Sequence, residues 1–588
     1  MRVIYKYLFL LLFTILLATS CNLLEPVDDN HSTFERVLND PSFAEGLLVT
    51  GYTRIPTNSY SFNDVATDDA VSNDKLNNYL RMATGQWSST FDPMNQWSNC
   101  LYGIQSVNQF ISIIDTVNWR PSIPEMNDLY KKRFKGEAFG VRALLKYHLL
   151  VTVAGESTSG QLLGIPLLDG FLENNADFNI PRSSFTESVN SIYKDIEEAE
   201  KYLTMDDYKD ISNATSLPLG YENVSIVNYN TIFGNQTVQR ISGRILKALK
   251  VRVALLAASP AYANSTALWE TAAIYAGDLL KTINGPTGLD PNGHRFYVKS
   301  LVDALNLAGT PSIDQAEMIW RSRRTASNSR ESNHFPPTLF GSGRLNPTQN
   351  IVDAFPMKNG YPITSSNSLY DPANPYANRD PRLGLYVLYN GSTYKGNVIL
   401  TSIGGKENAK DSISTSTRTG YYLKKLLVEE VSLNPAGPST HNHYEVHMRY
   451  TEFFLAYAEA ANEAWGPDGD NRGFGFTARD VIRAIRKRAG IDQPDTYLDG
   501  ITTKEDMRKL IRSERRLELC FEGFRFWDLR RWKENITEPA KGVEINSNAT
   551  EYKYVDVEQR LYRDYMYSGP IPNQDIIKYN NLEQNKGW

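Results

Sequence analysis

Cysteine is scarce. The 588 residues hold three, Cys21, Cys100 and Cys520. Three thiols cannot build a disulfide framework, so packing must hold the fold together. A large excess of charge is also missing. Lys and Arg total 62 and Asp and Glu total 67, a net charge of −5. No sequence-wide basic footprint exists for DNA or RNA, which argues against a nucleic-acid partner. Catalytic signatures are lacking as well: no G-x-S-x-G elbow, no H-E-x-x-H, no P-loop and no G-x-G-x-x-G. A glycosidase needs only two well-spaced carboxylates, so a surface glycoside hydrolase stays as an alternative. Beyond the first twenty residues no long apolar run occurs. The nearest, Leu249 to Ala258, is broken by Lys250 and Arg252, whereas a spanning helix needs about 18 apolar residues or more.

What is present is ordinary for a folded chain: 41% apolar and 22% charged residues. Tyr (34) outnumbers Phe (24), beside 9 Trp. Tyr and Trp join a flat apolar face to a polar handle, which suits surfaces that bind amphipathic ligands.

The N-terminus reads as an address. Arg2 and Lys6 precede the apolar run Leu8 to Ala18. As a helix that run rises about 16 Å, too short for a hydrocarbon core of about 30 Å. Residues 1–20 are therefore expected to be a signal peptide. Ala18-Thr19-Ser20-Cys21 looks like a lipobox, which makes Cys21 the expected lipidation site. Each buried CH₂ contributes about 0.8 kcal/mol, so several acyl chains anchor firmly. Residues 21–40 read as an acidic, polar tether.

Helical periodicity marks two regions. Leu246, Leu249, Val253 and Leu256 form one stripe in the first, about 41–281. Phe454, Ala458, Ala461 and Trp465 do so in the second, about 445–533. Its many alanines let helix axes approach closely, which suggests tetratricopeptide-like pairs, although no clean 34-residue repeat exists. Between them, about 284–443, lie Gly, Pro, Ser, Thr and Asn with short β-like runs at Met318–Trp320, Leu385–Leu388 and Tyr421–Leu423. Loops on a rigid scaffold are where binding groups usually sit. The expected fold is mostly α: a helix-pair scaffold with long inserted loops and short β-hairpins. Residues 41–300 and 301–588 are expected to pack as one unit.

Two further groups invite a chemical reading. His441, His443 and His447 cluster, but their spacing matches no familiar zinc site; a polar loop leading to a helix near Glu445 is the expectation, and no cofactor is assigned. Residues 511–532 interleave acids and arginines, which predicts a network of ion pairs rather than a phosphate-binding patch. Cys520, in the same apolar setting, is expected to be an inert core thiol.

The same segment carries a resemblance. Glu514 to Trp532, E-R-R-x-E-L-x-F-E-G-x-R-x-x-D-L-x-R-W, is similar to the signature of SusD/RagB lipoproteins. Asn378 to Arg382 resembles the family's N-R-D-P-R turn. Gly420-Tyr421-Tyr422 with Lys424-Lys425 resembles G-Y-Y-x-K-K. Arg449 and Glu452 resemble R-x-x-E, and Arg486 to Gly490 resembles R-x-R-A-G. Pro570-Ile571-Pro572 and the closing Gln584 to Trp588 agree as well. The resemblance implies a surface lipoprotein partnering a SusC-like, TonB-dependent transporter. As its lid it would capture oligosaccharide without cleaving it, or alternatively peptide, as a RagA/RagB-like importer does. By analogy with the family's starch-binding member, Trp87 is the first candidate for a ligand-facing aromatic. Asp68, Asp69 and Tyr79 in the same stretch, and Trp320, Phe335 and Phe340 further on, complete the expected site.

Overall fold

The computed structural model describes residues 40–56, 62–173, 178–305 and 314–588. The expected signal peptide, Cys21 and nearly all of the tether lie outside the described residues. The first helical region holds α1 (Pro41–Thr53), α2 (Trp97–Ile113), α3 (Pro124–Val153), α4 (Phe185–Glu200), α5 (Gly243–Ala258) and α6 (Thr266–Lys281). The second holds α7 (Tyr450–Trp465), α8 (Ala478–Ala489), α9 (Lys504–Glu518) and α10 (Arg525–Arg531).

Neighbours in sequence pack as neighbours in space: α1 on α2, α2 on α3, α3 on α4, and α5 on α6. The α6 helix then lies against α7, which joins the two regions. This is the expected helix-pair scaffold. In α5 the stripe Leu246, Leu249, Val253 and Leu256 is buried, but so are Ile245, Val251 and Ala254, so α5 is an interior helix. In α7 the small residues Ala456, Ala458, Ala460 and Ala461 are buried. Close approach is explicit where α1 meets α2: a Cβ on Gly51 would collide with Val107 Cγ2. Helix ends follow local rules. Ser184 and Glu187 form a capping box on α4. Gly490, with φ of +91°, ends α8 in the left-handed conformation that favours glycine.

Among the described residues from 284 to 443 the α-helices have at most six residues, as the composition predicts. Short antiparallel pairs tie distant segments together. Strand β1 (Ala70–Ser72) pairs with β3 (Leu345–Pro347), and β2 (Met318–Arg321) with β4 (Val446–Arg449). Strand β5 (Ala540–Ile545) forms a hairpin with β6 (Tyr552–Glu558). The helix expected near Glu445 starts later, at Tyr450, because Val446–Arg449 is taken up by pairing with β2. One hydrophobic cluster runs from Ala44 through α5 and α7 to Leu582.

The predicted ion pairs form, and they gather separate motifs at one place. Glu514 accepts from Arg382 Nη2 and Arg486 Nη1, both at 2.8 Å. Glu518 accepts from Arg488 Nη2 at 2.7 Å and Arg382 Nη1 at 3.2 Å. Glu522 accepts from Arg449 Nε at 2.8 Å and Lys425 Nζ at 2.6 Å. The turn at 378–382, the strand at 420–425, the start of α7, the end of α8 and α9 thus meet in one buried network. Cys520 lies beside it, and burial pushes its thiol up to about 12.

Candidate functional site

The residues singled out from sequence do not converge. Trp87 is 4% exposed. Its indole packs against Trp588, Phe526 and Tyr562, with ring centroids 4.8, 6.0 and 6.0 Å away. It is a core residue and presents no face to a ligand. Phe335 is fully buried against Tyr394. Asp68 and Asp69 are buried too. Arg516 Nη2 donates to Asp68 Oδ2 at 2.9 Å and Arg516 Nε to Asp69 Oδ1 at 2.8 Å; Arg525 Nε donates to Asp68 Oδ1 at 2.9 Å. Burial alone would raise the Asp68 pKa, but the Arg516 and Arg525 guanidiniums outweigh it and hold the carboxyl well below the usual range. These aspartates anchor arginines, and Asp68 stands with Arg516 and Arg525 in the wall of a separate cleft. Tyr79 is half-buried between two hydrophobic clusters, and burial pushes its phenol up to about 12. Phe340 is exposed, at the end of a single 3₁₀ turn.

Trp320 is the exception that leads to a site. It is 6% exposed, and its indole N–H donates to the Gln239 carbonyl at 2.9 Å. Its ring meets His447 edge-on at 4.6 Å. Both belong to the wall of a cleft of about 240 Å³. Helix α3 supplies Tyr147 and His148, and α5 supplies Arg252. Strand β4 supplies His447, and α10 supplies Trp527 and Arg530. The pairing of β2 with β4 sets Trp320 opposite Met448, which brings this wall to α5. On α10, Trp527 and Arg530 stand three residues apart and so share a helix face.

Charge in the cleft is closely managed. Arg252 grips Glu452 side-on: Nε donates to Oε1 and Nη2 to Oε2, both at 2.7 Å. The Arg252 Nη2 also donates to the His447 carbonyl at 2.7 Å. Burial and then Arg252 push the His447 imidazole down to about 3. Burial, Arg252 and His447 push His148 down to about 3. Both rings are neutral at pH 7. Glu522 and Asp528 are buried, yet their arginine and lysine neighbours outweigh burial and lower both pKa values. A general acid for glycoside cleavage needs a raised carboxyl pKa, and these two carboxylates are shifted the other way. Among the described residues, no group of three or more His, Cys, Asp or Glu is placed to hold a metal ion. His443 instead faces Glu331 at 2.9 Å, and His441 faces Asp303 at 3.5 Å.

Trp527 and Arg530 are not among the residues expected from sequence, because segment 511–532 reads as a closed ion-pair network. One signal was there: the segment holds six arginines against four carboxylates.

A helix-pair scaffold, bolted by buried ion pairs and carrying an aromatic, ion-paired cleft, defines the structural class. The SusD family model matches residues 315–588, and a model described as starch-binding and associating with the outer membrane matches residues 31–217. The chain belongs to the SusD/RagB family. A curated relative, SusD-like protein P2 of Formosa agariphila, is 29% identical over 149 residues; the match covers 24% of each chain. The fold is shared with a SusD-like protein of Bacteroides fragilis: TM-score 0.69, 22% identity, 96% of this chain and 100% of that one covered. A laminarin-binding SusD-like protein superposes with a TM-score of 0.56 at 18% identity, covering 93% of this chain and 99% of that one.

Proposed function

We propose that the protein captures oligosaccharide at the outer membrane, to which a lipid on Cys21 ties it. There it serves as the lid of a SusC-like, TonB-dependent transporter and hands the saccharide on uncleaved. The observation that carries this reading is the cleft. Tyr147, Tyr262 and Trp527 stand half-buried in its wall beside fixed polar groups, an aromatic lining suited to amphipathic ligands. A sugar ring laid on an indole buries its C–H face at roughly 25 cal/mol per Å² and leaves its hydroxyls free. The volume falls below the roughly 300–1,000 Å³ of sites that enclose drug-sized ligands. That suits the end of a chain, with the rest lying outside. The relatives named for laminarin and starch binding support the same ligand class.

The test is a panel of glycans and peptides titrated into the protein lacking residues 1–21, with new reducing ends measured in parallel. Binding of a saccharide without new ends is expected. Binding of peptides alone would move the protein to the peptide-importing branch, and new reducing ends would make it a hydrolase.

A further inference from the structure

Tyrosine gathers at one further place, at the surface and outside the cleft. Tyr376 stacks on Tyr389 with ring centroids 4.3 Å apart and planes 18° apart. Tyr552 meets Tyr376 edge-on at 6.0 Å. Tyr554 stands beside Tyr370, whose ring centroid lies 5.6 Å from the Arg379 guanidinium carbon. None of the five tyrosines belongs to the cleft wall. Tyr554 is 47% exposed, and Tyr370, Tyr389 and Tyr552 are half-buried.

The local fold explains why these rings reach the surface. In the β5–β6 hairpin Val543 pairs with Tyr554 and Ile545 with Tyr552, so all four share one face. Under β5 that face is closed, because Val543 and Ile545 are buried in a core with Tyr386 and Tyr421. On β6 the same face runs past the edge of that core as tyrosine, with two rings set about 7 Å apart along the strand. The segment behind them is pinned. Arg379 donates to the Phe355 carbonyl at 2.6 Å and to the Pro375 carbonyl at 2.8 Å. The Tyr376 hydroxyl lies 3.1 Å from that of buried Tyr421. By contrast, the Tyr389 and Tyr552 hydroxyls have no hydrogen-bond partner among the described residues, and neither is enclosed.

The chemistry of this face selects its occupant. Four rings of at most about 250 Å² each, none more than half exposed, offer under about 500 Å². A stable protein partner needs roughly 800 Å² on each side, so the area is too small for one. It suffices for a few sugar rings, and every ring here pairs a flat face with a hydroxyl. Asp353 is exposed nearby and holds Gln349 through one oxygen at 2.7 Å, which leaves the other to accept from sugar hydroxyls. We propose that Tyr370, Tyr389, Tyr552 and Tyr554, backed by Tyr376, form a second saccharide-binding platform outside the cleft, which holds a further length of polysaccharide by its sugar-ring faces. This rests on the glycan reading above and adds that the polymer is met at two places. Two weak contacts on one polymer multiply, because the second forms at the high local concentration set by the first.

Native affinity gels cast with laminarin, starch or xylan test this on the protein lacking residues 1–21. In the gel that retards the unmodified protein most, Tyr554→Ala should weaken retention about threefold, and Tyr552→Ala with Tyr554→Ala about tenfold. Tyr554→Phe keeps the ring and should keep most of the retention. Adding Trp527→Ala to the double variant should remove what is left. Thermal unfolding is followed alongside. If the double variant unfolds, hydroxyl-radical footprinting of the unmodified protein decides: the polymer should shield Tyr552 and Tyr554 from oxidation, and should still do so in Trp527→Ala. Undiminished retention of a folded double variant overturns the platform and leaves the glycan reading standing on the cleft. Equal oxidation of Tyr552 and Tyr554 with and without bound polymer does the same. No retention in any gel, with peptides bound instead, overturns both.

Discussion

Arg382 and Glu514 stand 132 residues apart in the chain and meet at 2.8 Å, each side chain no more than 1% exposed. Glu514 is shared, because Arg486 reaches its other oxygen at the same distance. One carboxylate thus holds the turn at 378–382 and the end of α8 onto α9. Glu514→Gln would leave two guanidiniums underpaired in the interior. Breaking a buried pair costs about 3–5 kcal/mol, so urea unfolding should show a loss of that order. A loss below about 1 kcal/mol would mean the network is not a structural bolt.

Trp87 and Trp527 should behave oppositely. Trp87→Ala removes a buried ring from a cluster of four aromatics and should cost about 3–5 kcal/mol of stability. Trp527→Ala should leave the unfolding midpoint within a few degrees and weaken saccharide binding about tenfold, the equivalent of 1.4 kcal/mol. Affinity gels and thermal melts on the two variants check both halves. Intact binding in Trp527→Ala would place the ligand outside the cleft.

Acid should destabilise the protein earlier than carboxylates alone would predict. His148 and His447 titrate near 3 when folded and near 6.5 when unfolded. The unfolded chain therefore takes up protons first as pH falls below 6.5, and folding stability declines from there toward pH 3. Above pH 6.5 these groups contribute no pH dependence. Unfolding free energies measured at pH 7, 6, 5 and 4 should fall stepwise, with a shallower slope in His447→Gln. A flat profile down to pH 5 would contradict the neutral burial of both rings.

The thiols should be silent. Burial pushes Cys100 and Cys520 up to about 12, and reactivity follows the thiolate. A thiol reagent should find no fast-reacting group in the native protein lacking residues 1–21, and two after denaturation. Rapid reaction in the native state would show that α2 around Cys100 or the turn after α9 around Cys520 opens readily.

Much of the frame was legible in the residues. Periodicity located α5 and α7, and the alternation of acids and arginines in 511–532 announced ion pairs that do form. The site was not legible, and the reason is distance along the chain. Trp87 sits in a polar stretch and reads as exposed; the rings that bury it come from residues 526, 562 and 588. Asp68 reads as a solvated loop acid because Arg516 and Arg525 lie 448 and 457 residues further on. Local composition cannot report a neighbour supplied by the far end of the chain.

The cleft wall draws on α3 and α5 at one side and on β4 and α10 at the other. Neither half of the polypeptide owns it. During synthesis the cleft therefore cannot form until α10 has emerged and docked, so a chain truncated before α10 lacks it.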